Sequence, residues 1–126
     1  MKRFLPDSNI FIRASKGFEP ELAFVNKQIE KNELIISVVA IGEFYAKATE
    51  SEKQMFDNLI ARFGVLGIDE VAAKLAGDYR SEYLKKSKRV YLLDCFLAAQ
   101  AKINNLTLVT NDATDFPMRD IKVVKP

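Results

Sequence analysis

Residues 92–101 read LLDCFLAAQA, an almost wholly apolar or small stretch that carries a single carboxylate, Asp94, near its start. Ala98 and Ala101 follow Asp94 by about one and two helical turns, so the acid shares a helix face with small side chains. A face with so little bulk packs closely against a sheet. An acid on it must be paired, cap the helix or bind a cation, because burying it bare is costly. The stretch supplies no cation, so the partner must come from elsewhere in the chain.

Composition limits what the chain can be. Its 126 residues are 48% hydrophobic and 29% charged, which predicts one globular domain over residues 1–126. A net charge of +2 tolerates a nucleic-acid partner without requiring one. The lone Cys95 excludes an internal disulfide, and no apolar segment is long enough for a signal peptide or a membrane span. We therefore expect a cytoplasmic protein with no membrane partner.

The chain has no histidine, and this absence narrows its chemistry. Histidine-based triads, Cys–His pairs and ordinary zinc sites are excluded. The five glycines form no phosphate-binding loop. An enzyme with this composition has to use carboxylates, hydroxyls, lysine or arginine, with a bound metal as the natural addition.

Apolar runs predict short strands that alternate with amphipathic helices. The predicted strands are residues 3–6, 34–36, 65–68, 106–109 and 121–124. Ser37 and Asp69 are typical helix N-caps, and a further helix is predicted from about Glu52 to Phe63. Hairpin signals are missing between the strands. The pattern therefore predicts an α/β domain with a central parallel sheet flanked by helices in three layers.

Acidic residues fall where such a sheet collects ligands, beyond the carboxyl ends of its strands. Asp7 follows the first predicted strand, and Asp112 and Asp115 follow the fourth. Glu43 reaches back from the helix after the second strand, and Asp94 opens the helix before the fourth. Each alone has an ordinary explanation as a cap, a turn residue or a solvated position. Together they would repel and raise one another's pKa, which Mg²⁺ or Mn²⁺ with oxygen ligands relieves.

Four blocks of the chain resemble the signature blocks of PIN domains. They are Asp7–Ile12, Ser37 with Glu43-Phe44, Asp94–Ala101 and Leu108–Phe116. In length and layout the chain is similar to the VapC toxins of prokaryotic toxin–antitoxin pairs. The resemblance implies an acidic quartet made of Asp7, Glu43, Asp94 and Asp112. It also implies that Asp115 accompanies the quartet and that the hydroxyls of Ser8 and Thr110 line the site. The departures, Pro6 and Phe44, remove no ligand.

The resemblance implies an Mg²⁺- or Mn²⁺-dependent endoribonuclease. Asp7, Asp94 and Asp112 would chiefly hold the metal, which activates a water for attack on an RNA phosphodiester, and Glu43 would act through water or orient the nucleophile. The resemblance leaves open whether the site holds one metal ion or two. A basic cluster before Asp94 would guide the RNA backbone, or would simply complement a helix C-terminus. Its members are Lys85, Lys86, Lys88 and Arg89.

The resemblance also implies partners: a small antitoxin whose tail covers the site, and a second copy in a homodimer. Phe11, Phe18, Phe24 and Phe44 offer apolar surface, although most phenylalanines are expected in the core. Two alternatives stay open, a housekeeping RNA-processing PIN nuclease and a non-catalytic PIN module that binds RNA or protein. A phosphoryl-receiving switch is disfavoured, because the first strand is not followed by paired acids.

Overall fold

The computed structural model describes residues 2–126. Their elements, in chain order, are β1 (Phe4–Pro6), α1 (Ser8–Ser15), α2 (Glu21–Lys31), α3 (Val38–Lys47), α4 (Glu50–Phe63), α5 (Glu70–Lys85), α6 (Leu92–Ile103), β2 (Thr107–Val109), a 3-10 turn (Ala113–Asp115) and β3 (Lys122–Val124). Within these residues, no helix combines the length and apolar character needed to cross a membrane.

The three strands form the predicted parallel sheet, in the order β1-β2-β3. Leu5 lies opposite Leu108, and Leu108 lies opposite Val123. The last strand, β3, lies at the edge. Because all three strands run the same way, their carboxyl ends share one rim of the sheet.

The structure has single β-bridges in place of two of the predicted strands. The prediction of full strands at residues 34–36 and 65–68 was therefore wrong. Leu34 pairs with Phe4, and Leu66 pairs with Ser37, both in parallel. The extended chain ends at Ser37 because its hydroxyl already accepts a hydrogen bond from the α3 backbone at 3.1 Å. These bridges still continue the sheet past β1.

Helix starts follow the caps. Asp7, Ser37 and Asp69 each accept backbone hydrogen bonds at the start of a helix, as predicted. The fourth helix begins at Glu50, earlier than predicted, because Thr49 and Glu52 form a reciprocal capping box. This signal is present in the sequence as Thr-x-x-Glu.

Neighbouring strand residues face opposite cores, which confirms the three-layer arrangement. Leu108 packs with α5 and α6 residues such as Ala76 and Ala98. Val109 packs with residues of the first four helices, including Phe11 and Phe44. The sheet is therefore covered on both faces, in line with the period-two alternation of strand side chains.

The phenylalanines divide between core and surface. Phe11 and Phe44 are 3% and 1% exposed, so the expectation that they offer surface to a partner was wrong. Phe18 is 48% exposed, and Phe24 is half-buried. Aromatic packing explains the first pair, since Phe56 lies 5.0 Å and 4.2 Å from their ring centroids.

Candidate active site

Asp7 and Thr110 lie at the carboxyl ends of β1 and β2. The Asp7 amide donates to the Val109 carbonyl at 2.9 Å, which fixes the two strand ends side by side. One carboxylate oxygen of Asp7 accepts from the Asn9 and Ile10 amides, at 3.0 and 3.4 Å, and caps α1. The other accepts from the Thr110 hydroxyl. Asp7 is thus both the predicted N-cap and a member of the rim.

Thr110 is fully buried and joins two acids through one hydroxyl. It donates to Asp7 and accepts from the Asp112 amide at 3.0 Å. Burial raises the pKa of Asp7 above its usual value, although the hydrogen bonds from Thr110 and the α1 backbone oppose the rise. The arrangement holds a carboxylate in place while leaving its charge poorly compensated.

Asp94 lies in the first turn of α6, on the same rim. Tyr91, not Asp94, occupies the N-cap position, so the alternative of a helix cap was wrong. The salt bridges found in residues 2–126 do not include Asp94. Burial raises the pKa of Asp94 to about 7, and the charges of four other acids add to the rise. In decreasing order of effect they are Asp115, Glu43, Asp7 and Asp112. All four other predicted acids therefore lie close enough to act electrostatically on Asp94.

The acids are near one another but not drawn around a common centre. Across residues 2–126, no three His, Cys, Asp or Glu side chains are close enough to hold an ion in this conformation. Asp112 is exposed, whereas Glu43, Asp94 and Asp115 are half-buried. The resemblance implied only an accompanying role for Asp115, yet among the four neighbouring charges its charge raises the pKa of Asp94 most.

Cations do not neutralise this rim. The four salt bridges found in residues 2–126 involve other carboxylates, on Glu21, Glu50, Glu52 and Glu70. Ser8, which follows Asp7 in the chain, is buried, and its role as a site-lining hydroxyl stays a prediction. Oxygen donors with uncompensated negative charge fit a hard divalent cation such as Mg²⁺ or Mn²⁺.

Cys95, next to Asp94, is not a nucleophile. Burial raises its pKa to about 11, and the Asp94 charge adds to the effect. At neutral pH it remains a buried thiol, and the reactivity of cysteine depends on the thiolate.

The small face of α6 brings Asp94 to the rim as the sequence predicts. Ala98 and Ala101 are 0% and 1% exposed and pack in the same core as Leu108. A polar clamp that the sequence did not predict fixes this helix. The Gln100 amide accepts from the Ser37 hydroxyl at 2.5 Å and donates to the carbonyls of Leu66 and Gly67.

The basic cluster is exposed but not uniformly positive. Lys85 ends α5, in agreement with the helix-terminus explanation, and Lys86 lies 5.4 Å from the Tyr83 ring centroid. Lys86 and Lys88 line a groove that also contains Arg119 and three acids: Asp78, Glu82 and Asp120. The role of Lys85, Lys86, Lys88 and Arg89 in RNA binding remains a prediction.

A second polar cluster beside the rim has no counterpart in the sequence analysis. Arg13 and Asn111 both donate to one carboxylate oxygen of the buried Glu21. The partners are 8 and 90 residues from Glu21 in the chain, so no local pattern points to the contact.

Comparison with known proteins is consistent with this fold. The family model for the PIN domain matches residues 4–121. Ribonuclease VapC10 of Mycobacterium tuberculosis is 31% identical over 114 residues, covering 90% of this chain and 86% of the relative. The tRNA(fMet)-specific endonuclease VapC of Shigella flexneri is 26% identical over 121 residues, covering 92% and 91%.

Among solved structures, DNA-bound VapBC from Salmonella typhimurium superposes with a TM-score of 0.81 at 26% identity. The match covers 99% of this chain and 98% of that chain. With a family model that spans nearly its whole length and relatives of the same extent, the chain belongs to the PIN domain family.

Proposed function

We propose that this protein is an Mg²⁺- or Mn²⁺-dependent endoribonuclease and the toxin of a toxin–antitoxin pair. The observation that carries the proposal is the rim formed by Asp7, Asp94 and their acidic neighbours. Burial and the neighbouring charges raise the pKa of Asp94 to about 7, and no salt bridge of residues 2–126 reaches the rim. The relatives named as ribonucleases support RNA as the substrate.

The donor set suits the ion. Asp7, Asp94 and Asp112 would chiefly hold it, with Glu43 acting directly or through water and Asp115 close beside Asp94. A bound divalent cation supplies an activated water and neutralises charge at the scissile phosphate. Its charge would offset both the burial of Asp94 and the repulsion from the neighbouring acids, which together raise the pKa of Asp94.

The chain's own residues have distinct tasks. Thr110 fixes one oxygen of Asp7, and the α1 amides fix the other, so this carboxylate is pre-oriented before any ligand arrives. Glu43, half-buried on α3, orients the attacking water or accepts its proton. Lys88 and Arg89 are exposed upstream of Asp94 and attract the RNA backbone at long range.

An apolar groove between α1, α2 and α4 is the surface we assign to the antitoxin. Leu22, Ile29, Met55 and Leu59 line it above the buried Phe11. Met55 is 59% exposed and adds a flexible apolar side chain to the open side of this groove. An amphipathic antitoxin helix fits such a groove, and its tail would reach the acidic rim.

A second exposed apolar patch supports the homodimer. Leu84 and Leu92 line one groove at the junction of α5 and α6, together with Arg80 and Lys85. Tyr91 and Leu93 flank Leu92 in the chain. Leu84, Tyr91 and Leu93 are 55%, 56% and 49% exposed. Pairing of two copies through this patch would remove apolar surface from water. We place the dimer in the cytoplasm.

The test is an RNA cleavage assay with Mn²⁺, Mg²⁺ or EDTA. Wild type should cleave with either metal and not with EDTA, and Asp94→Asn should be inactive. Asp78→Asn, which changes an exposed acid on α5 outside the rim, is the matched control and should cleave like wild type. Equal activity of wild type and Asp94→Asn, or cleavage that survives EDTA, contradicts the proposal.

The cleavage assay separates the non-catalytic module from the two nucleases, and growth arrest on expression separates the toxin from the housekeeping nuclease. A housekeeping nuclease would cleave in the same way but would not arrest growth on expression or be inhibited by a co-expressed antitoxin. A non-catalytic module would bind RNA without metal-dependent cleavage.

A further inference from the structure

Arg13, Glu21 and Asn111 form a polar cluster next to the acidic rim. Arg13 lies on α1, Glu21 is the first residue of α2, and Asn111 follows Thr110 in the loop after β2. The Arg13 Nε donates to the Glu21 Oε2 at 2.6 Å, and the Asn111 amide donates to the same oxygen at 2.8 Å. Glu21 is 2% exposed, and its other oxygen is buried without a hydrogen-bond partner in residues 2–126.

Glu21 holds Arg13 rather than binding a ligand itself. Burial opposes its ionisation, but hydrogen bonds from its own backbone, from Arg13 and from Asn111 outweigh this and lower its pKa. It is therefore a carboxylate at neutral pH, and the Arg13 guanidinium balances its charge. Within this pair Glu21 is buried, whereas the Arg13 side chain is 45% exposed and accessible to a ligand.

The guanidinium of Arg13 is oriented but not saturated. It stacks over Phe18, 4.6 Å from the ring centroid, and only its Nε bonds to Glu21. The part of the chain that the structure describes offers no hydrogen-bond partner to its two terminal nitrogens. Their four N–H donors are left for a ligand. A planar guanidinium fixed in this way matches the oxygens of a phosphate.

These groups line an open cavity of about 590 Å³ that adjoins the rim. Asn9 and Asp112 line the same cavity, and Asn9 lies two residues after Asp7. Glu19 is also there, but its carboxylate already accepts from the Ala23 amide at 2.8 Å. The cavity thus combines the free terminal N–H donors of Arg13 with two amide side chains, directly beside Asp112 of the rim.

We propose that this cavity binds an RNA backbone phosphate next to the scissile bond, with Arg13 as its ligand and Glu21 as the residue that positions Arg13. The inference rests on the proposed function. Asn9 and Asn111 offer hydrogen bonds to the adjoining ribose or base. The subsite sets the register of the strand, so that the next phosphate along the chain reaches the rim.

The test is single-turnover RNA cleavage with Mn²⁺, which separates the enzyme concentration at half-maximal rate from the maximal rate. Arg13→Gln should raise the half-maximal concentration about tenfold while the maximal rate stays within about twofold. It should also reduce the slope of log affinity against log salt by about one phosphate contact. The matched control is Arg62→Gln, which removes another arginine stacked on a phenylalanine, 4.9 Å from Phe63, and should behave like wild type.

Loss of Arg13 also leaves Glu21 buried and unpaired, which destabilises the fold. The double variant Arg13→Gln/Glu21→Gln separates this effect from RNA binding. It should recover the melting temperature of wild type but keep the weak RNA affinity. Recovery of RNA affinity together with the melting temperature would mean that Arg13 is only structural, and would overturn the inference.

The outcomes also distinguish this inference from the proposed function. If wild type shows no metal-dependent cleavage, both the proposed function and the phosphate subsite are refuted. If wild type cleaves, Asp94→Asn does not, and Arg13→Gln matches Arg62→Gln, only the subsite falls. An effect of Arg13→Gln on antitoxin affinity alone, with unchanged RNA kinetics, would likewise refute it.

Discussion

Removing the charge of Asp94 should stabilise the metal-free protein while it destroys activity. In the folded chain, burial and then the charge of Asp115 raise the pKa of Asp94 from 3.8 to about 7. The folded state therefore holds this proton more tightly than the unfolded state. Stability is lost as the pH rises from about 4 to about 7, and the loss is complete above the folded pKa. Asp94→Asn cannot ionise and avoids the loss.

The magnitude follows from the two pKa values. At about 1.4 kcal/mol per pKa unit, a rise from 3.8 to about 7 corresponds to about 4 kcal/mol. Asp94 is only half-buried, and solvent screening reduces the effect, so we expect about 1–2 kcal/mol. For a domain of this size this raises the melting temperature by about 4–8 °C.

The assay is thermal unfolding in EDTA, followed by circular dichroism at about pH 4 and about pH 8. Asp94→Asn should melt above wild type at the higher pH and close to it at the lower pH, whereas Asp78→Asn should match wild type at both. Saturating Mn²⁺ should reverse the order at the higher pH, because it stabilises only a protein that binds it. A wild-type protein as stable as Asp94→Asn at high pH in EDTA would refute the reasoning.

Three further predictions concern the supports of the site. Thr110→Val removes the hydroxyl that donates to Asp7 and should weaken Mn²⁺ binding about tenfold, measured by calorimetry, whereas Thr107→Val at the start of the preceding strand should not. Gln100→Leu leaves the Gly67 carbonyl without a donor and the Ser37 hydroxyl without an acceptor, although the Leu66 carbonyl still accepts from the Val38 amide. It should lower the free energy of unfolding by about 2–4 kcal/mol in urea titrations; a neutral effect would mean that the clamp is dispensable. Leu84→Glu should convert the dimer to a monomer in light scattering, and a dimer that persists would place the interface elsewhere.

The order of the elements and the shared rim could be predicted because both follow from local patterns. Short apolar runs between capped helices predict a parallel sheet, and parallel strands bring their carboxyl ends together. Asp7, which directly follows β1, was therefore placed correctly. The small face of α6 was also readable, since Ala98 and Ala101 recur at helical spacing beside Asp94.

Contacts between distant segments could not be predicted. Ser37 and Gln100 are 63 residues apart, and Glu21 and Asn111 are 90 apart, so neither pair leaves a local signal. Strand length was also misjudged, because residues 65–68 are apolar enough for a strand but make one bridge, at Leu66. Apolar periodicity reports burial and does not report how many backbone hydrogen bonds a segment forms.

The relative weights of the acids needed the three-dimensional arrangement. The resemblance to PIN domains placed Asp112 in the acidic quartet and gave Asp115 only an accompanying role. In the structure Asp112 is exposed, while Asp115 is half-buried and has the larger effect on Asp94. The 3-10 turn at Ala113–Asp115 separates their environments although they are three residues apart.

Calorimetric titration with Mn²⁺ at about pH 6 and about pH 8, in buffers of different ionisation enthalpy, tests the central claim most directly. Wild type should bind Mn²⁺ at both pH values. Because the pKa of Asp94 is about 7, binding should release protons at the lower pH, where Asp94 is mostly protonated, and few protons at the higher pH. Asp94→Asn should bind Mn²⁺ much more weakly, while Asp78→Asn should bind it like wild type. Mn²⁺ binding that is absent from wild type, or equally strong in Asp94→Asn, would contradict a metal-dependent nuclease site at this rim.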